Sequence, residues 1–382
     1  MNKDYEGFEI GAIRPPSESE SLLLRVTRNC PWNQCKFCGL YKGEKFSIRP
    51  KEHVFRDIDI LKKAIDTLKE IDNASGEERS KLLKQLREDL GENSEYAYYS
   101  AITWHRSGMK SIFLQDANTM IIKPDDMIEI LTYIKEKFPE VERITSYGRS
   151  HTIARISDKD LKRMADAGLN RIHIGMETGS SQVLKLVKKG ADKETHIIAG
   201  QKVKKAGIKL SEYFMPGLGG NEYSKENALE TADALNQINP DFIRIRTLAV
   251  PDHTLLANDY REGTFTRTND EKMIKELLLM IENLNGITST IISDHILNLI
   301  PEVEGVMPRD KEKMINALKW FLNLSEDEKI MFRVGRRTAR MNLMKDLYIA
   351  EKRQMVEKMI KENNITKDNV DVIVDELMKR FI

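Results

Sequence analysis

Leu22-Leu23-Leu24-Arg25-Val26-Thr27-Arg28-Asn29-Cys30-Pro31-Trp32-Asn33-Gln34-Cys35-Lys36-Phe37-Cys38-Gly39 runs an apolar strand directly into three cysteines. Residues 22–27 form a short aliphatic and β-branched run, the pattern of a buried strand. The cysteines are the only three in the chain, so a disulfide framework is excluded. Three thiolates so close in sequence can reach one soft metal centre. Structural zinc takes four ligands, and no histidine falls within the next ten positions. An iron–sulfur cube can be held by three cysteines when an outside ligand completes the fourth iron. Unlinked buried thiols, or zinc completed by a distant residue such as His53, are the alternatives.

Outward from this strand the chain repeats one unit. Further strands are expected at 111–116, 143–147, 171–177, 208–214 and 241–248. Helical patterns separate them, among them 124–138, a helix opened by Ser157 and stopped at Gly168, one opened at Asp192 or Thr195 and stopped at Gly207, and 222–236 before Pro240. Strand, helix and strand with short glycine-containing returns is the signal of a parallel sheet with right-handed crossovers. Five crossovers in series predict an α/β fold, a partial (β/α)6 TIM-like barrel. The first crossover is too long for a simple unit. It reads as a helical insertion over about 50–110, with charged helices at 51–70 and 80–90 followed by Tyr96, Tyr98 and Tyr99. Helices are expected at 270–284, 310–324, 337–361 and 366–381, the last behind a Thr366 cap. The division is therefore an N-terminal arm (1–20), a core barrel (21–250) and a mostly helical C-terminal region (251–382).

The chain has 382 residues, 40% hydrophobic and 32% charged, with 61 Lys plus Arg against 60 Asp plus Glu. This is a globular composition with no net field to attract nucleic acid or an anionic membrane. No run reaches the ~20 apolar residues of a membrane span. Met1 to Pro16 carries Asp4, Glu6 and Glu9 without an apolar stretch, so no signal peptide is expected and the expected location is cytoplasmic.

The cysteine segment resembles the cluster loop of radical S-adenosylmethionine enzymes. That family shows Cys-x3-Cys-x2-Cys after the first barrel strand, with an aromatic before the last cysteine, as Phe37 stands here. The first gap here is one residue longer, Pro31 to Gln34. Gln115-Asp116-Ala117-Asn118 matches by position the family turn that meets the methionyl amine. Gly175-Met176-Glu177-Thr178-Gly179-Ser180 is similar to the variant in the branch with the elongator catalytic subunit and oxygen-independent coproporphyrinogen oxidases. Met215-Pro216-Gly217-Leu218-Gly219-Gly220 is similar to the adenine-side turn. The resemblance implies a 4Fe-4S cluster on Cys30, Cys35 and Cys38, with S-adenosylmethionine as second cofactor. It also implies anaerobic work, a reducing partner such as flavodoxin or ferredoxin, and a small-molecule substrate rather than nucleic acid. The reduced cluster would cleave the sulfonium and form a 5′-deoxyadenosyl radical that abstracts hydrogen from that substrate.

Charges at strand ends point to the same place, since parallel barrels bind ligands at the carboxyl ends of their strands. Asp116, Arg149, Glu177, Glu212 and Arg246 stand there. Charges are costly in an apolar lumen unless a partner or ligand meets them. Glu177 can accept from an amine or ribose, and Arg149 can pair with a carboxylate. Mutual pairing of Arg244 or Arg246 with Glu212 is the bland alternative. His173, between Ile172 and Ile174, reads as a hydrogen-bonded core histidine, while His253 stands near a loop end. With every cysteine used, auxiliary-cluster methylthiotransferases, peptide maturases and cysteine-pair methyltransferases are excluded. No acetyltransferase-type domain is recognisable after the barrel. The rival classes are an iron–sulfur electron carrier or redox sensor, and a zinc-stabilised interaction protein. Substrate, reaction outcome, cofactor regeneration and oligomeric state are not written in these residues.

Overall fold

The computed structural model describes residues 5–90 and 95–381; of the acidic residues named for the N-terminus, Asp4 lies outside them. Among the described residues ten strands occur in chain order: β1 (Leu22–Arg25), β2 (Thr27–Arg28), β3 (Ser47–Ile48), β4 (Ser111–Gln115), β5 (Arg143–Gly148), β6 (Leu169–Glu177), β7 (Lys209–Phe214), β8 (Phe242–Ile245), β9 (Thr290–Ile292) and β10 (Gly305–Val306). Eight form one sheet in the order β1-β4-β5-β6-β7-β8-β9-β10, while β2 and β3 make a separate antiparallel ribbon. The pairs β1–β4, β4–β5, β5–β6, β7–β8 and β8–β9 are parallel and β9–β10 is antiparallel. The first and last strands are not neighbours, so the sheet is open: the α/β, partial TIM-like arrangement expected. All six expected strands are present. Two more follow Pro251, where none was expected; β9 grows from the β-branched Thr288–Ile292 run.

The chain clusters into two compact units. The first comprises residues up to Asn33, Leu40–Ile174 and Lys202–Lys209. All five residues of β4 are buried, as befits a parallel strand covered on both faces. Phe113 and Leu114 are fully removed from water, each worth about 1.5–3 kcal/mol. The long first crossover is three helices, Lys51–Asn73, Gly76–Leu90 and Glu95–Arg106, the third carrying Tyr96, Tyr98 and Tyr99. Lys51–Asn73 buries Val54, Ile58, Leu61, Ile65, Leu68 and Ile71, a stripe of helical period. Trp104 fixes the third helix by donating its indole N–H to the Ser111 carbonyl at 2.8 Å. His173 is buried against Glu18 at 3.3 Å, as read from the sequence. Burial alone would raise the Glu18 pKa, but hydrogen bonds from His173 and Ser21 and the charge of Arg143 bring it down to about 2.

The second unit comprises Gln34–Gly39, Gly175–Gln201 and residues from Leu210 onward. Its C-terminal part is helical, with corrections. Glu326–Arg337 is a helix where none was expected, and of the stretch expected as one helix over 337–361 only Ala350–Glu362 continues as α-helix, after a 3-10 turn at Met344–Tyr348. The first opens on a Ser325/Glu328 capping box. It closes where Ala339 adopts φ +56° and Arg340 N–H donates back to the Gly335 carbonyl at 2.8 Å. The last helix spans Val370–Met378 with Asn369 rather than Thr366 at its cap position, because Thr366–Asn369 is itself a turn. Asp270 is buried between Arg333 and Arg337, both at 2.9 Å. Among the described residues no helix is long and apolar enough to cross a membrane.

Glu276 ties the turn after β7 to the helix Asp270–Glu282. Its Oε1 accepts from the Gly217 amide at 2.8 Å and from Asn227 Nδ2 at 2.6 Å, and its Oε2 from the Ser224 hydroxyl at 2.6 Å. Burial outweighs these donors and raises its pKa to about 7. The raised value favours the folded state only while the carboxyl keeps its proton. That stabilisation is complete below the unfolded value near 4.5 and is lost as pH climbs through about 7, a change of about 3 kcal/mol. Glu276→Gln keeps the shape without the titration. Urea unfolding at pH 5 and pH 8 should show the variant gaining on the wild type by about that amount. An equal difference at both pH values would refute it.

Candidate functional site

In the first unit the carboxyl ends of β1, β4 and β5 carry charge, and most of it is matched locally. Asp116 follows β4 and is wholly buried. Its Oδ2 accepts from Arg25 at 3.0 Å and from the Asn29 amide at 3.1 Å, and its Oδ1 from the Tyr41 hydroxyl. Burial and the Asp116 charge push the Tyr41 pKa far above the ordinary phenol range, so it remains a donor. The neighbouring Gln115 is buried too. It accepts from the Gly11 amide at 2.7 Å and donates to the Gly11 and Ile13 carbonyls. The N-terminal arm therefore occupies the Gln115 side chain, and Glu9 on the same arm meets Arg25, Arg28 and Arg49 at 2.6–3.0 Å. Arg149 follows β5; its amide donates to Asn118 at 2.9 Å and its guanidinium lies over Trp32, 5.2 Å from the ring centroid. Cys30 also belongs to this unit, and its sulfur accepts from the Asn33 amide at 3.4 Å.

Cys35 and Cys38 belong to the second unit. The loop between them is anchored through its middle. The Lys36 amide donates to the Val187 carbonyl at 2.9 Å, its carbonyl accepts from the Leu256 amide at 2.9 Å, and its ammonium meets Asp259 at 2.6 Å. Phe37 packs on a buried cluster that includes Val183, Val187, Leu256 and Phe265. None of the three cysteines is in a disulfide, and each is half-buried.

Glu177 ends β6 with φ +66°, a backbone position unusual outside glycine, and its carbonyl accepts from the Met215 amide at 2.8 Å. Its Oε1 meets Lys189 at 3.2 Å, while its Oε2 is buried without a hydrogen-bond partner. Lys189 also lies over the Phe37 ring at 5.5 Å. Glu212 on β7 is wholly buried, and neither carboxylate oxygen is in hydrogen-bond geometry. Burial first, then the charge of Glu177, push its pKa well above the carboxylate range; the charge of Lys189 offsets only part of this. Burial thus favours the protonated form of the Glu212 carboxyl.

Gly217 follows β7 with φ +88°, and a Cβ there would stand 2.7 Å from the Met273 sulfur. Arg246 is exposed, with its amide donating to Phe214 at 2.9 Å. The pairing of Arg244 or Arg246 with Glu212 does not form; Arg244 meets Asp294 at 2.6 Å. The sequence reading had overlooked Lys189, Tyr41 and the Lys36–Asp259 pair. Lys189 lies twelve positions after Glu177, beyond a helix, and only the fold returns it to that carboxylate. Among the described residues no three His, Cys, Asp or Glu side chains converge as a single metal ion requires. The donor a cube takes is thiolate, and none of Cys30, Cys35 and Cys38 is spent in a disulfide.

Comparison with known proteins gives several relatives. A tRNA uridine(34) acetyltransferase of Methanocaldococcus infernus is 28% identical over 120 residues, 31% of this chain and 22% of the relative, so the chain matches about a fifth of that protein's length. The heme chaperone HemW of Lactococcus lactis is 20% identical over 168 residues, 43% of each chain. Among solved structures, coproporphyrinogen III oxidase from Escherichia coli aligns at 14% identity over 66% of this chain and 49% of its own, with a TM-score of 0.42. The family model of the radical SAM superfamily matches residues 24–233, from β1 into the helix that follows β7, and with the cysteine loop inside that span the chain belongs to this superfamily.

Proposed function

We propose that the chain is a radical S-adenosylmethionine enzyme in which Cys30, Cys35 and Cys38 hold a 4Fe-4S cluster. With an electron from a flavodoxin- or ferredoxin-like donor, such a cluster supplies reductive cleavage of S-adenosylmethionine and a 5′-deoxyadenosyl radical that takes hydrogen from a small-molecule substrate. The supporting observation is Glu212, a wholly buried carboxyl with both oxygens unsatisfied, in the same unit as Cys35, Cys38 and Glu177. A buried group of this kind costs stability unless a ligand completes its hydrogen bonds.

The cofactor has an amine, a carboxylate and ribose hydroxyls, and these residues complement them. Glu177 accepts from the amine or ribose. Glu212, its carboxyl pushed up by burial, meets a further polar group of the cofactor. Arg149 offers a fork to the carboxylate, and Trp32 beneath it fixes the plane of that fork. The turn at Gly217, its amide held by Glu276, is assigned to the adenine side. Gln115 and Asp116 shape the turn after β4 through their protein partners. Arg246, the exposed charge after β8, faces cofactor or substrate. The core barrel is assigned to 21–250 and the helical region to 251–382. Thiols without disulfides fit a reducing compartment, so the cytoplasm is the proposed location.

Anaerobic reconstitution should load about four iron and four sulfide per chain, and dithionite with S-adenosylmethionine should then release 5′-deoxyadenosine. Cys35→Ala should abolish this release. Zinc bound in place of iron would sink the proposal; a full cluster that leaves the cofactor intact would favour an electron carrier or sensor. Equilibrium binding should show Glu177→Ala and Glu212→Ala each weakening S-adenosylmethionine by roughly tenfold, the loss of one strong hydrogen bond. Affinity unchanged in both would remove these residues from the cofactor site.

A further inference from the structure

The segment after β8 grips the cysteine loop at three points. Leu256 N–H binds the Lys36 carbonyl at 2.9 Å, and Asp259 holds the Lys36 ammonium at 2.6 Å. His253 makes the third contact. A Cβ placed on Gly39 would stand 2.1 Å from His253 Nε2 and 2.5 Å from Cδ2, so the imidazole edge lies directly on the residue after Cys38. Any side chain at position 39 would expel the ring. His253 is nonetheless exposed.

The backbone beneath His253 is rigid. Thr254 N–H donates to the Pro251 carbonyl at 3.0 Å, and the Thr254 hydroxyl donates to the same carbonyl at 2.8 Å. That hydroxyl also accepts from the Ala257 amide at 3.3 Å and caps the helix Leu255–Arg261. Pro251 and Thr254 are buried on either side of the exposed Asp252–His253 pair. The imidazole is thus presented from a fixed turn, and that turn leads into the helix that holds Lys36. An exposed histidine has no packing reason to be carried this way, and the contact falls on the step that follows a thiolate.

We propose that His253 is a positioning residue for the iron–sulfur cluster: its imidazole covers the Cys38–Gly39 step and limits access of water, chelator and oxidant to the Cys38 corner. This rests on the cluster assignment made above. Solvent exposure and groups around the thiolates tune both retention and potential of such clusters. Water admitted at that corner stabilises the added electron, so uncovering it raises the midpoint potential.

The test uses the anaerobically reconstituted full chain, with its cluster absorbance followed under excess chelator and its midpoint potential followed by electron paramagnetic resonance. His253→Ala should lose the cluster roughly tenfold faster than the wild type and titrate at a higher potential. His253→Gln, which refills the space, should return both readings toward wild type. Gly39→Ala, which keeps the histidine but denies it its seat, should behave like His253→Ala. If His253→Ala holds its cluster at the wild-type rate and potential, the proposal is overturned, whatever Gly39→Ala does. A wild-type chain that loads no iron overturns the underlying assignment instead, and this inference with it.

Discussion

Both backbone groups of Lys36 are taken by chain that arrives from far away in sequence. Its amide is bound to Val187, in the crossover after β6, and its carbonyl to Leu256, in the segment after β8. A loop of cysteines, prolines and polar residues has no core of its own and would drift without such anchors. Here one residue between two thiols is hydrogen-bonded in both directions, its ammonium is paired, and the next residue, Phe37, is sunk into an apolar cluster. The spacing of Cys35 and Cys38 is therefore set before any ligand arrives, and the geometry of the second unit follows from holding it.

Charges near strand ends fall into two kinds. Asp116 has every oxygen matched by Arg25, Asn29 and Tyr41, so its role within the first unit is to fix the turn after β4. Glu177 and Glu212 are held in a different state. Lys189 pairs with Glu177, while Glu212 is buried with its carboxyl pushed up by burial and by the charge of Glu177. A matched network is complete in itself, whereas an under-matched one stores a demand for further hydrogen bonds.

The six strands of the repeating unit were readable because a parallel strand buried on both faces must be a short aliphatic run. The cysteine loop was readable because its chemistry depends on residue type and spacing alone. Other features were present in the letters and passed over: Ser325 and Glu328 spell a capping box, and Thr288–Ile292 is a β-branched run. Some were not present in the letters. The break after Arg337 rests on Ala339 in a left-handed conformation, where neither glycine nor proline marks the stop. Lys189 and Glu276 gain their meaning from carboxyl and amide partners supplied by the fold, and periodicity carries no trace of such pairs. The same holds for Gln115, whose amide is spent on the N-terminal arm.

Glu9 is the common counterion of Arg25, Arg28 and Arg49, and the arm's backbone at Gly11 and Ile13 is read by Gln115. Trimming the first dozen residues, a routine step in crystallisation or tag placement, would strip Arg28 of its carboxylate and leave Arg25 and Arg49 with Asp116 and Asp57 alone. Shortened versions of this chain should keep Glu9, and affinity tags belong at the other terminus.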